Sequence, residues 1–123
     1  MKIKNYEAVT IYSKLNEVLK NYSFKAKVCK AIIDNKNKLK SVIDSIEETR
    51  QTLIRHYAEL DENGEPKVSD NSYVLKDKEG FAKEFTDLQN DETNIELTTI
   101  SIDDLGDTEI NGADFEALSI FIA

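Results

Sequence analysis

The sequence predicts an α+β protein that is mostly α: an antiparallel helical hairpin with one long helix, a small two- or three-stranded sheet and two further short helices. Two observations carry this prediction. The first is that residues 23–60 contain neither Gly nor Pro and that their apolar residues follow a coiled-coil heptad. The a and d positions of that frame, here called the seam, are Val28, Ile32, Asn35, Leu39, Val42, Ile46, Thr49, Leu53, His56 and Leu60.

The N-terminal segment supplies the second observation. Ile3 lies in a short piece that predicts an edge strand, and Asn5 is an acceptable N-cap for a helix that begins at Tyr6. Apolar residues then recur every three or four positions up to Leu19, which indicates an amphipathic helix of about four turns. Because only a short break ending at Ser23 follows, we expect this helix to lie antiparallel to the first half of the long helix, which Ser23 would cap.

The middle of the chain changes character at residue 61. The stretch 61–66 contains Gly64 and Pro66 and should end the long helix, and residues 67–71 read as a polar loop. Residues 72–75 predict a short strand. Asp77 should then cap a third helix that runs to about residue 90, with one apolar face expected to contact the end of the long helix: Phe81, Phe85 and Leu88.

The last third predicts one strand, one acidic loop and one helix. Residues 93–102 are rich in Thr and Ile and suggest a strand with a bulge near Thr98, paired with residues 74–75, with Ile3, or with both. Residues 103–109 form an acidic loop. The apolar residues that follow predict a short docked helix, because a free apolar C-terminus would promote aggregation.

Length and composition predict a single domain, residues 1–123, with a helical hairpin at 1–60 and an acidic α/β portion at 61–123 packed on it. The formal net charge is −8, yet residues 1–60 carry +5 and residues 61–123 carry −13. This asymmetry either lets the two halves attract each other or offers an acidic contact surface to a basic partner. Direct nucleic-acid binding is disfavoured at this charge. There is no long apolar run, so we expect no membrane association and a cytoplasmic location.

Two stretches are candidate protein-binding sites. On the seam they are Asn35, Val42, Ile46 and Thr49, because helix 1 is too short to cover the second half of the long helix. A buried Asn at an a position can also pair with its counterpart in a second copy, so a homo-oligomer through the long helix is one alternative, and a self-contained hairpin is the other. In the acidic loop the candidates are Asp103, Asp104, Asp107 and Glu109.

The sequence favours no catalytic site, cofactor or metal. His56 is the single histidine and Cys29 the single cysteine. One long helix would separate them by about 40 Å, so they cannot act as a nucleophile and base, and no further His or Cys is available to complete a zinc site. We therefore expect a non-enzymatic protein.

The order of parts resembles a known family. The chain has an N-terminal amphipathic helix, the Lys-rich turn at 24–27, a long charged helix ending at 57–66, Tyr73 and Val74 before an acidic helix, and a closing 110–112 with apolar residues. This arrangement is similar to small uncharacterised proteins of phages and prophages from Gram-positive bacteria, whose genes tend to lie in the late region near tail and lysis genes. The resemblance covers nearly the whole chain and implies no catalytic residues.

Two functions follow from the resemblance and the charge pattern. The first is a phage accessory protein that binds other phage proteins, as a tail-associated or assembly and chaperone-like factor, in the host cytoplasm or on the virion. The alternative is an acidic phage-encoded inhibitor of a host anti-phage defence protein. In both cases the partner is a phage or host protein.

Overall fold

The computed structural model describes residues 1–123. The chain is 60% helical with two small antiparallel two-stranded sheets, which confirms the predicted α+β, mostly α class. The elements in chain order are β1 (Lys2–Lys4), α1 (Asn5–Asn21), α2 (Ala26–Tyr57), β2 (Val68–Ser69), β3 (Ser72–Tyr73), α3 (Lys78–Asn90), β4 (Glu92–Asn94), a 3-10 turn (Ile102–Leu105) and α4 (Gly112–Ser119).

The chain forms two compact units. We call residues 1–43 together with 92–123 the terminal unit, and residues 44–91 the middle unit. Helix α2 contributes residues 26–43 to the first and 44–57 to the second. The boundaries therefore fall inside the long helix and before β4, whereas the sequence analysis divided the chain at residue 60. The predicted single domain stays a prediction.

The terminal unit contains the helical hairpin. Four residues connect α1 to α2, and the Lys36 ammonium lies 5.6 Å from the centre of the Tyr12 ring. These two residues are almost equally far from the connection, so the helices run antiparallel as predicted. Their facing apolar stripes form much of the buried core, to which the helices contribute Ala8, Leu15, Val18, Val28, Ala31, Ile32 and Leu39.

The predicted caps of the two hairpin helices are wrong. Helix α2 begins at Ala26, and the Lys25 carbonyl accepts hydrogen bonds from the Val28 and Cys29 amides. Ser23 is therefore not its cap. Helix α1 begins one residue earlier than predicted, and its N-cap is Lys4. Asn5 lies inside the helix, is buried, and its Oδ1 accepts a hydrogen bond from the Thr93 hydroxyl at 2.8 Å. The Asn5 side chain, which was predicted to cap the helix locally, therefore bonds instead to Thr93, a residue distant in the sequence.

The sheet of the terminal unit has two strands, within the predicted two or three, but its second strand is shorter than predicted. Strand β1 pairs antiparallel with β4, and Ile3 lies opposite Thr93, so of the two pairings left open, the one with Ile3 is correct. The strand ends at Asn94 instead of continuing to Ile102. Further on, only Ile100 forms an isolated bridge, which is to Ile122. Residues 74–75, the other predicted partner of this strand, lie elsewhere: Leu75 forms an isolated antiparallel bridge to Ala58, the residue that follows α2.

The C-terminal segment docks on the terminal unit as predicted. The Asn111 side chain caps α4 by accepting from the Asp114 amide at 2.9 Å. Leu118 and Phe121 are fully buried in the same cluster as Ile95 and Ile100. Burial of these side chains removes apolar surface from water and so holds the terminal segment in place.

The middle unit has a thin core. Its fully buried apolar residues are Ile54 and Ala58. Helix α3 is capped by Asp77, as predicted, and its Phe81 ring lies 6.2 Å from the Tyr57 ring, with Phe85 stacked on Phe81 at 5.9 Å. This confirms that the apolar face of the third helix packs on the end of the long helix. None of its residues is fully buried.

A β-hairpin occupies the stretch predicted as a polar loop. Val68 pairs with Tyr73 and Ser69 with Ser72. The two turn residues, Asp70 and Asn71, have φ of 51° and 64°, the left-handed conformation that a two-residue hairpin turn of type I′ requires at both positions. Asn and Asp adopt this conformation more readily than other non-Gly residues, but the stronger Asn-Gly or Asp-Gly signal is absent from this turn.

Candidate functional site

Asn35 is fully buried inside the terminal unit. Its Nδ2 donates to the Thr98 carbonyl at 3.0 Å, and its Oδ1 accepts from the Thr98 amide at 2.7 Å. The side chain therefore substitutes for a neighbouring strand at this one residue. Both polar groups of the amide are satisfied within the chain, so this geometry leaves Asn35 no surface to offer a second copy.

The other seam candidates become more exposed along α2. Val42 is half-buried and packs against the terminal unit's core. Ile46 is half-buried in the middle unit, and Thr49 is exposed, with its hydroxyl donating to the Ser45 carbonyl at 2.8 Å. Thr49 lines a groove between α2 and α3.

The acidic-loop candidates do not form one site. Asp104 accepts from the Ser101 amide at 2.9 Å and forms an ion pair with Lys27 at 3.3 Å. The Ser101 amide and then the Lys27 ammonium hold the pKa of its carboxyl below the usual value. Asp103, Asp107 and Glu109 are exposed. No three His, Cys, Asp or Glu side chains come together in a group that could hold a metal ion.

Cys29 and His56 lie in different units. The Cys29 thiol is half-buried and contacts the Phe24 carbonyl at 3.6 Å. His56 is exposed, with its ring edge-on to Tyr57 at 5.7 Å. Neither contact positions a base beside a nucleophile.

A buried polar network was missed by the sequence analysis. Asp114 is 6% exposed, and its carboxylate accepts from the Tyr22 hydroxyl at 2.7 Å, the Lys14 ammonium at 2.9 Å and the Asn111 amide at 2.8 Å. The Tyr22 and Lys14 donors lower the pKa of Asp114, and Asp114 raises that of Lys14. Because this network ties α4 to the hairpin, we assign it a structural role.

A groove of about 390 Å³ lies in the middle unit between α2 and α3. Leu53 and Leu88 provide its apolar surface, Thr49 contributes from α2, and the acidic lining residues are Glu84, Asp87 and Asp91. The spacing of Glu84 and Asp87 places them on one side of α3, and Asp91 follows its last residue. Glu84 forms a hydrogen bond with the Tyr57 hydroxyl, and this bond raises the pKa of Tyr57.

The hairpin of the middle unit exposes a second apolar surface. Leu60, Val68 and Tyr73 are 48%, 62% and 41% exposed. Leu60 bridges to Pro66, two residues before Val68. We call these four residues, Leu60, Pro66, Val68 and Tyr73, the hairpin face.

Charge is distributed unevenly between the units. The terminal unit combines a hairpin part, residues 1–43, at +7 with a C-terminal part, residues 92–123, at −8, and the two parts are joined by the Lys14–Asp114 and Lys27–Asp104 ion pairs. The middle unit has 13 acidic and 6 basic residues, a formal charge of −7. The net negative charge of the protein therefore resides almost entirely in the middle unit.

Some acidic residues of the middle unit are paired with arginines: Glu65 contacts Arg55 at 2.8 Å, and Glu47 contacts Arg50. Glu47 binds Arg50 through both carboxylate oxygens, at 2.9 and 3.0 Å, and also accepts from Gln51. These donors, Arg50 first, lower the pKa of Glu47 to about 2. Glu47 is therefore ionised at neutral pH and is paired with Arg50 in this structure.

Fold and site together define a small α+β protein with a well-packed terminal unit and an acidic, thinly cored middle unit. Comparison with known protein-family models, curated proteins and solved structures finds no match. The predicted phage family therefore stays a prediction. None of the helices combines the length and the apolar character needed to cross a bilayer.

Proposed function

We propose that this protein is a non-enzymatic phage accessory protein, a tail-associated or assembly and chaperone-like factor, that binds another protein through its middle unit. The phage origin comes from the sequence resemblance. The observation that carries the binding function is the groove between α2 and α3, whose leucines and carboxylates suit a lysine or arginine side chain: the alkyl stem would lie on Leu53 and Leu88, and the cationic head would meet Glu84 and Asp87.

The alternative, an acidic inhibitor of a host anti-phage defence protein, draws support from the charge of the middle unit. At −7 over 48 residues, this unit would steer a basic protein surface toward itself and speed association at low salt. The two functions share a contact surface and differ in the partner. The same experiment therefore separates them.

The experiment is an affinity pull-down from phage-infected cells with two matched variants, analysed by mass spectrometry. Thr49→Lys places a cation at the groove, whereas Thr52→Lys makes the same charge change at a residue outside it. Both threonines are exposed and make the same bond, to the carbonyl four residues earlier. We expect the wild type and Thr52→Lys to recover the partner and Thr49→Lys to lose it.

The recovered protein decides between the two functions. Phage structural or assembly proteins would support the accessory function, and a host defence protein would support the inhibitor. Equal recovery by both variants would show that the groove is not the contact. Light scattering on the purified protein would test the homo-oligomer, and cell fractionation with purified virions would test the proposed host-cytoplasmic or virion-associated location.

A further inference from the structure

We propose that the hairpin face, formed by Leu60, Pro66, Val68 and Tyr73, docks an apolar segment of a partner protein that carries lysine or arginine at its ends. This inference rests on the proposed function in that it assigns protein binding to the middle unit. It adds a second contact surface and states the chemistry of the partner.

The register of the strands places the four residues on one face. Residues directly opposite each other in an antiparallel pair project to the same side of a sheet, and so do residues two apart along a strand. Leu60 lies opposite Pro66, and Val68 lies opposite Tyr73. Since Pro66 and Val68 are two residues apart, all four side chains share one side.

The hairpin face is open where an ordinary sheet face is covered. Pro66 is half-buried, and the other three residues are each more than 40% exposed. Ala58 and Leu75 lie on the same side of the sheet, closer to α2, and pair with each other. Ala58 is fully buried and Leu75 is half-buried. The apolar surface therefore continues outward from the core and ends uncovered, which is typical of an interaction surface.

The charges around the hairpin face select the partner. The two loops that bound it contain acidic residues and no Lys or Arg: Asp61, Glu62 and Glu65 in one, and Asp70 in the other. Glu65 is paired with Arg55 of α2 at 2.8 Å, so the acidic charge beside the face comes from Asp61, Glu62 and Asp70. Lys67 lies between the face residues Pro66 and Val68 and so projects to the opposite side. A partner segment with an apolar centre and cationic ends matches this arrangement. The same face of a second copy would bring acidic loops together and is disfavoured.

The test is a titration of the ¹⁵N-labelled full-length protein with a blocked peptide, Lys-Lys-Leu-Val-Phe-Val-Lys-Lys, followed by NMR chemical shifts. Two comparison peptides replace either the four lysines by glutamate or the four central residues by serine. We expect saturable shifts centred on residues 60–75 with the first peptide and at least tenfold weaker binding of both others. Shifts confined to other residues, or equal binding of the serine peptide, would overturn the proposal.

Matched variants separate apolar contact from net charge. Val68→Ser removes an exposed valine from the hairpin face, and Val9→Ser removes a 49% exposed valine from α1. The double variant Glu62→Gln/Asp70→Asn removes one acidic charge from each bounding loop, and Glu48→Gln/Glu79→Gln makes the same charge change elsewhere in the middle unit. We expect a tenfold loss of affinity for the first member of each pair and less than twofold for the second. Equal losses within a pair would overturn the assignment.

The two proposals fail separately. Peptide binding at residues 60–75 with no partner recovered from infected cells would remove the phage function and leave the docking surface. Recovery of a partner by Val68→Ser at wild-type level would remove the hairpin face from the contact and leave the proposed function. Amide spectra of each variant without peptide would show whether it is folded.

Discussion

The Asn35 side chain and the Thr98 backbone form a closed two-hydrogen-bond pair, with Asn35 fully buried on α2 and Thr98 in the segment that follows β4. One N–H and the oxygen of the Asn side-chain amide lie on the same edge of that group, so together they can pair with the C=O and N–H of a single residue. The Asn35 side chain therefore fixes the position of residues 95–100 against the helical hairpin.

Replacing Asn35 should destabilise the protein strongly. Asn35→Ala would leave the Thr98 amide and carbonyl without partners beside a packed core, and we expect a loss of about 2–4 kcal/mol in the free energy of unfolding. Urea denaturation followed by circular dichroism would measure it. Asn37→Ala, at an exposed position on the same helix, is the control and should change the free energy by less than about 0.5 kcal/mol.

Asn35→Asp should introduce a pH dependence that the wild type lacks at this position. Ionised Asp can accept from the Thr98 amide but faces the Thr98 carbonyl with no proton to donate, and burial raises its pKa. Protonation restores a donor. We therefore expect Asn35→Asp to be closer to wild-type stability at pH 4 than at pH 7. An equal deficit at both values would contradict the paired geometry.

The Asp114 network should make stability fall at acid pH. Its folded-state pKa lies below the ordinary value of 3.8 because Tyr22 and Lys14 donate to the carboxylate. The unfolded chain therefore binds the proton more readily, so this contribution is present above about pH 4 and is lost as the pH falls through the folded-state pKa.

Denaturation of wild type and Asp114→Asn between pH 7 and pH 2 would test this. We expect the variant to be less stable at pH 7 and the gap to close on acidification. Lys14→Met should narrow the gap in the same direction. A gap that stayed constant with pH would show that the carboxylate is not ionised in the network.

Gly80 should resist substitution for lack of space. A Cβ built there would lie 2.9 Å from Cε1 of Tyr57 and would also meet the Asp77 carboxylate that caps α3. We expect Gly80→Ala to cost about 1 kcal/mol through disturbance of the cap. Gly112→Ala is the control, because nothing lies within 4 Å of its Cβ position. Thermal unfolding should show a lower Tm for Gly80→Ala only.

The hairpin turn offers a stabilising substitution. Asn71 has a φ of 64°, and Gly adopts this conformation without the steric cost of a Cβ. We expect Asn71→Gly to raise the free energy of unfolding of the middle unit by about 0.5–1 kcal/mol and to leave peptide binding unchanged, while Asn71→Ala should lower it. Hydrogen exchange of the Val74 amide, which donates to the Lys67 carbonyl at 3.0 Å across the hairpin, would report the local effect.

Helical periodicity carried most of the correct predictions. The apolar spacing of α1 and α2 predicted the hairpin, and the Asp77 and Phe81 pattern predicted α3 and its contact with the long helix. These signals are local, since each depends on residues within one or two turns. The strand prediction for residues 93–102 was weaker, because β4 pairs with β1 at the other end of the chain. The hairpin at residues 68–73 was read as a polar loop because its turn, Asp70-Asn71, contains no Gly.

The candidate site was less predictable than the fold. Asn35 was correctly singled out as a polar residue at a core position, but its partner, Thr98, is 63 residues away. The sequence did not indicate that Asp114 is buried, because a carboxylate in the first turn of a helix is typical of a solvent-exposed position. The hairpin face was missed for a similar reason: Val68 and Tyr73 share a surface only through cross-strand register.

The amino-acid sequence by itself determined the mostly helical class, the hairpin and the acidic balance, because helical propensity, heptad spacing and charge are properties of neighbouring residues. The tertiary structure decided which polar groups are buried and which apolar groups remain exposed. It closed Asn35 onto Thr98, enclosed Asp114 among three donors, and left Leu60, Val68 and Tyr73 on an open face. Burial depends on what segments distant in the chain bring to a position, and no local pattern contains that information.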